Sequence, residues 1–164
     1  MNNSALEQAA WAALADVPDP ELPALTLCDL GIVRAVRTFG DQLEVVLTTT
    51  YSGCPATEFI ERSVREALAA AGLDRVTVTQ QLAPAWTTDW ISAEGRRKLL
   101  AYGIAPPGAA AQAAADVIRI RPRLTCPRCN STNTERLSAF GSTACKALHR
   151  CLDCREPFEH FKPI

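Results

Sequence analysis

Five of the seven cysteines fall within the last 39 residues, as Cys126, Cys129, Cys145, Cys151 and Cys154. Four of them make two pairs, Cys126-Pro127-Arg128-Cys129 and Cys151-Leu152-Asp153-Cys154, separated by 21 residues. A Cys-x-x-Cys turn points both its sulfurs the same way, and two such turns give the closed set of four thiolates that suits a structural Zn2+. A segment this short buries too little apolar surface to fold unaided, so metal affinity supplies its folding energy. The chain is therefore expected to end in a zinc-ribbon-like β-hairpin module, 121–164, ligated by Cys126, Cys129, Cys151 and Cys154. Cys145 and His149 stay open as alternative ligands, since Cys126, Cys129, Cys145 and His149 form a three-sulfur, one-nitrogen set. Zn2+ is the first choice of metal and an iron-sulfur cluster the second.

The remaining sequence differs in charge. Residues 1–104 carry 8 basic and 13 acidic side chains, net -5, and residues 105–164 carry 9 basic and 5 acidic, net +4. Between the two lies Ala105-Pro106-Pro107-Gly108 and then an alanine run, read as a linker over 105–120. The whole chain, at net -1, excludes a uniformly basic nucleic-acid binder. The alanine run is broken by proline and glycine and falls short of the roughly 20 apolar residues a spanning helix needs. The first residues lack the basic flank and apolar centre of a secretory signal, so a cytoplasmic location without membrane attachment is expected. An odd number of thiols in a reducing compartment points to metal ligation or thiol chemistry rather than disulfides.

For 1–104 the pattern predicts a small α+β domain, a mixed three-stranded sheet with packed helices. A helix over 5–14 stops before Val17-Pro18-Asp19-Pro20, because proline disfavours helical backbone in the residue before it. Branched residues at 32–37 and 43–49, separated by Phe39-Gly40-Asp41, read as a hairpin, and a third strand is expected around 76–82. Phe59, Ile60, Val64, Ala67, Leu68 and Ala71 recur at helical spacing and stop before Gly72, so a helix crosses over between the second and third strands. A last helix is expected over 92–102.

Thr50-Tyr51-Ser52-Gly53-Cys54-Pro55 leads into the crossover helix. With Pro55 at the first helical position, Cys54 is placed at the N-cap, where unpaired N–H groups and the helix dipole favour thiolate. Such a thiol is a soft-metal ligand or a nucleophile; the bland alternative is a structural cysteine in an ordinary turn. Cys28, among apolar neighbours, reads as a buried thiol. Asp19, Glu21 and Asp29 are either oxygen ligands near Cys54 or turn caps, with capping favoured. Trp86-Thr87-Thr88-Asp89-Trp90 is either a loop anchor or a binding surface. With histidine confined to His149 and His160, residues 1–148 hold no Cys-His pair and no Ser-His-Asp triad.

Asp19-Pro20-Glu21, Asp29-Leu30-Gly31-Ile32-Val33 and Thr50-Tyr51-Ser52-Gly53-Cys54-Pro55 resemble the signature of the small iron-sulfur assembly (MIP18-like) domain family. Pro84-Ala85-Trp86-Thr87-Thr88-Asp89-Trp90-Ile91, Tyr102-Gly103-Ile104-Ala105-Pro106-Pro107 and Phe140-Gly141-Ser142-Thr143-Ala144-Cys145-Lys146-Ala147 resemble the D-subunit family of bacterial phenylacetyl-CoA epoxidase systems. His149 stands where that tail pattern leads one to expect an aromatic. The resemblance implies aerobic phenylacetate catabolism, in which a di-iron oxygenase epoxidises the CoA-activated ring and a flavin and iron-sulfur reductase supplies electrons. This chain has no paired Glu-x-x-His motif and no nucleotide fingerprint, so neither of those catalytic roles fits it.

What the resemblance leaves is an accessory, non-catalytic role in which the chain assists assembly of iron-sulfur or di-iron centres in its partners, the reductase component included. Cys54 is then the transient ligand of iron or a cluster, supported by Asp19, Glu21, Asp29 and Thr50. A homodimer stays open. Two alternatives come from other classes: a nucleic-acid-binding zinc ribbon using the basic tail, which the acidic first module disfavours, and a thiol oxidoreductase pairing Cys54 with Cys28 or Cys145.

Overall fold

The computed structural model describes residues 3–51, 53, 55–108 and 124–164. It is an α+β protein of two compact units, Met1–Trp86 and Thr87–Ile164. The units divide earlier than the expected 104/105 boundary. The last helix and Ile104-Ala105 belong to the second unit, where Ile104-Ala105 pair with Glu159-His160. Most of the expected 105–120 linker lies outside the described residues.

In the first unit, helix α1 (Asn3–Leu14) precedes a loop closed by a bridge between Pro18 and Thr26. Strands β1 (Val33–Phe39) and β2 (Gln42–Leu47) form the antiparallel hairpin, helix α2 (Thr57–Ala70) crosses over, and β3 (Val76–Gln80) returns parallel to β2. The sheet order is β1-β2-β3, so β2 is central, and Leu43, Val45, Val46 and Leu47 on it are all buried. Helix α2 buries Ile60, Val64 and Leu68, one residue per turn, each worth about 1.5–3 kcal/mol relative to exposure. It ends where the sequence places its stop: Gly72 is left-handed at φ +76°, its N–H bonds Ala69 O, and Leu73 N–H reaches back to Leu68 O. This is the paired C-terminal closure that a residue without Cβ permits.

In the second unit, a 3-10 turn (Thr88–Trp90) leads to α3 (Ala93–Ala101), capped by the Ser92 hydroxyl accepting from Gly95 N–H at 2.8 Å. Strands β4 (Ile104–Ala105), β5 (Thr134–Ser138), β6 (Lys146–Cys151) and β7 (Pro157–Phe161) make one sheet in the order β4-β7-β6-β5. The expected hairpin is thus part of a larger sheet: β5, β6 and β7 are antiparallel neighbours and β4 adds in parallel to β7. Thr88 N–H bonds Ile164 O at 3.2 Å, which joins the start of the unit to its last residue. No helix among the described residues is long and apolar enough to cross a membrane.

Candidate metal centre and the acidic loop

The two knuckles have the same local build. Each second cysteine is followed by a non-glycine residue in the left-handed region, Asn130 at φ 60° and Arg155 at φ 67°. In each, the first cysteine's N–H bonds the carbonyl five residues on: Cys126 to Ser131 at 2.8 Å and Cys151 to Glu156 at 3.0 Å. These reversals turn both sulfurs of a pair inward. Asp153, within the second knuckle, accepts from Ser131 Oγ at 2.5 Å and from Asn133 Nδ2 at 2.7 Å beside the first, which fastens one turn to the other. Those two hydrogen bonds, Ser131 first, hold the Asp153 carboxyl below its ordinary range.

As a result Cys126, Cys129, Cys151 and Cys154 place their sulfurs within 4.8 Å of one another. The shortest approaches run across the knuckles, Cys126 to Cys154 at 3.8 Å and Cys129 to Cys151 at 3.5 Å. Four sulfurs at about 2.3 Å from a tetrahedral ion stand about 3.8 Å apart, so the donor set fits a four-thiolate metal centre. Electrostatics agree. N–H groups of Cys154 and Asp153 stabilise the Cys151 thiolate and bring that thiol down to about 7, against its desolvation. At Cys129 the Ser131 N–H favours thiolate, but desolvation and hydrogen bonds shared with Cys151, Cys154 and Cys126 outweigh it and push the thiol up to about 12. One thiolate forms readily and a second resists, which a dication at the centre would reverse.

Cys145 and His149 are not members of this cluster. Cys145 is buried beside Thr143 Oγ1 at 3.0 Å. The His149 imidazole stacks on Phe158, with ring centroids 5.8 Å apart.

Cys54 and Ser52 lie outside the described residues. The helix start beside them is described, and it corrects the expected cap. Ala56 occupies the N-cap position, at φ -80° and ψ -4°, without a side-chain hydrogen bond, and α2 begins at Thr57. Pro55 and Ala56 are spent on a turn, and the first helical hydrogen bond runs from Ile60 N–H to Ala56 O at 2.9 Å. Cys54 therefore stands two residues before the cap and not at it.

The acidic loop is built by capping. Asp19 is buried, and its Oδ1 accepts from Glu21 N–H at 2.9 Å and Leu22 N–H at 2.8 Å. Asp29 is also buried, and it exchanges bonds with Thr26: Thr26 N–H to Asp29 Oδ2 at 3.0 Å and Asp29 N–H to Thr26 Oγ1 at 3.1 Å. Glu21 and Thr50 are half-buried. Cys28 donates its thiol to Leu14 O at 3.5 Å, and burial, with Asp29 adding to it, pushes this thiol up. Such a thiol is a poor partner for redox exchange. Trp86 is an anchor: its indole N–H bonds Leu30 O at 2.8 Å inside the first unit. Asp19→Ala is expected to lower the unfolding free energy by about 1–2 kcal/mol in urea titrations, because two N–H groups lose their acceptor in a buried loop.

Two family models match the chain: the "Iron-sulfur cluster assembly protein" model over residues 7–79 and the "PaaD zinc beta ribbon domain" model over 110–162. The chain is 50% identical over 154 residues, 94% of its length and 91% of the relative's, to an Escherichia coli (strain K12) protein named as the putative D subunit of 1,2-phenylacetyl-CoA epoxidase. It is 33% identical over 103 residues to the "Fe-S protein maturation auxiliary factor" of Porphyromonas gingivalis (strain ATCC BAA-308 / W83), covering 60% of this chain and 97% of that one. Among solved structures, a domain of unknown function from Bacillus anthracis superposes with a TM-score of 0.56 at 26% identity, over 60% of this chain and 95% of that one.

Proposed function

Because the chain belongs to the D-subunit family of 1,2-phenylacetyl-CoA epoxidases, we propose that it is a non-catalytic accessory component of the ring-epoxidising oxygenase of aerobic phenylacetate catabolism. Its work is to assist assembly or repair of the iron-sulfur or di-iron centres of partner subunits, the reductase component included, in the cytoplasm. One observation carries this reading: a single chain joins a fold matched by the iron-sulfur assembly model to a four-thiol centre matched by the zinc ribbon model. Zn2+ is the structural ion of the knuckles, held by Cys126, Cys129, Cys151 and Cys154, and it supplies folding energy rather than chemistry.

Iron or a cluster is cargo, and Cys54 is its transient ligand. Asp19 and Asp29 support the site by holding the preceding loop in shape through their backbone bonds, and Glu21 and Thr50 border the same two segments. Cys54→Ala, co-expressed with the oxygenase and reductase subunits, is expected to leave this chain folded and its zinc content unchanged while the iron content of the partners falls several-fold. Full iron loading of partners purified from the variant strain would sink the proposal.

A further inference from the structure

Strand alternation sorts the ribbon sheet into two faces, and one of them carries more than the metal. Register pairs Thr134 with Cys151, Arg136 with His149, His149 with Phe158 and Ala147 with His160, so all of these side chains share a face. At the metal end Cys151 and Phe158 are packed with Cys126, Cys154 and Ala105. Beside it lies a recess of about 450 Å³, walled by Leu124, Ala147 and Pro163 and lined by Thr134, Arg136, His149, His160 and Lys162.

Three features give this recess a chemical sign. Among the described residues no carboxylate pairs with Arg136, and Glu135, which also lines the recess, is engaged by Arg150. Lys162 adds a second permanent positive charge, its ammonium leaning over the Phe140 ring at 4.5 Å. His160 is 6% exposed, and its Nε2 is the one buried side-chain nitrogen or oxygen among the described residues that lacks a hydrogen-bond partner. It meets His149 edge to face, with centroids 5.6 Å apart. The volume lies in the range of small-molecule sites, which combine apolar walls with a few placed polar groups.

We propose that this recess binds a small organic acid, its anionic head at Arg136 with the imidazoles and Lys162 beside it, and its apolar body against Leu124, Ala147 and Pro163. The planar guanidinium fork suits a carboxylate's two oxygens. Burial first and then His149 bring His160 down to about 4, and the permanent cations set the sign of the ligand. The site stands on the second unit alone and is independent of the maturation role.

The test uses the full zinc-loaded chain and follows the His149 and His160 ring resonances by NMR during titration with benzoate, with its neutral analogue benzamide, and with inorganic phosphate. Benzoate is expected to shift both rings saturably, and Arg136→Gln to weaken it about tenfold or more. Arg136 is exposed on β5, so the variant should fold, and its unchanged backbone spectrum serves as the control. No saturable shift with benzoate, equal binding of benzamide, phosphate binding as tightly as benzoate, or unchanged affinity in Arg136→Gln would each overturn the assignment.

Discussion

Chelating the metal, or replacing Cys151 with Ser, is expected to unfold the β5–β6–β7 sheet outright while the three-stranded sheet of the first unit survives. The metal end of the ribbon has little else to hold it. Its apolar cluster at the metal end is Ala105 and Phe158 together with the cysteines themselves, so the ligands are also the core. A structural Zn2+ contributes about 10 kcal/mol or more of folding free energy, as much as the whole stability of an ordinary domain. Hydrogen exchange read by segment checks this directly. Amides of β6 should lose protection on metal removal, those of β2 should keep theirs, and β6 protection that persists without metal would refute the dependence.

The second large effect concerns a buried ion pair that the cysteines overshadow. Lys146 Nζ stands 2.8 Å from Glu159 Oε2, with the lysine side chain 4% exposed and the glutamate 23%. Glu159 Oε1 also accepts from Ser142 N–H at 2.6 Å. A Cβ placed on Gly141 would lie 2.5 Å from that same oxygen, which explains why the Phe140-Gly141-Ser142 turn carries glycine there. Lys146→Met strands a carboxylate in this setting and is expected to cost about 3 kcal/mol, at the low end for a broken buried pair because Glu159 keeps some contact with water.

The pH dependence of that cost follows from Glu159. Desolvation raises its pKa, but the hydrogen bonds from Lys146 and Ser142 outweigh it, and the folded value lies below the ordinary 4.5. The pair therefore contributes fully above about 4.5, and the contribution fades as pH falls through the folded value. Urea titrations of zinc-loaded wild type and variant should differ at pH 7 and converge on acidification. A gap that widens in acid would exclude the ion pair as its source.

Much of this molecule was legible before its fold was seen, for identifiable reasons. The crossover helix announced itself because Ile60, Val64 and Leu68 bury one stripe and Gly72 ends it. The four-cysteine cluster was readable because each knuckle is local: two cysteines three positions apart need only a turn to converge. The ambiguity over Cys145 and His149 could not be resolved by spacing, since only strand register sends His149 onto Phe158. The cap at Cys54 failed because a proline that suits the first position of a helix also suits the turn before one. Neither the Lys146–Glu159 pair nor the basic recess had a one-dimensional signal. Both depend on β6 and β7 lying side by side.

The crosswise approach of the sulfurs, Cys126 to Cys154 and Cys129 to Cys151, sets an order of events during synthesis. The leading pair alone offers half a cage. A four-thiolate ion could be captured only once Cys151 and Cys154 have also been made, so zinc scarcity would be felt there first.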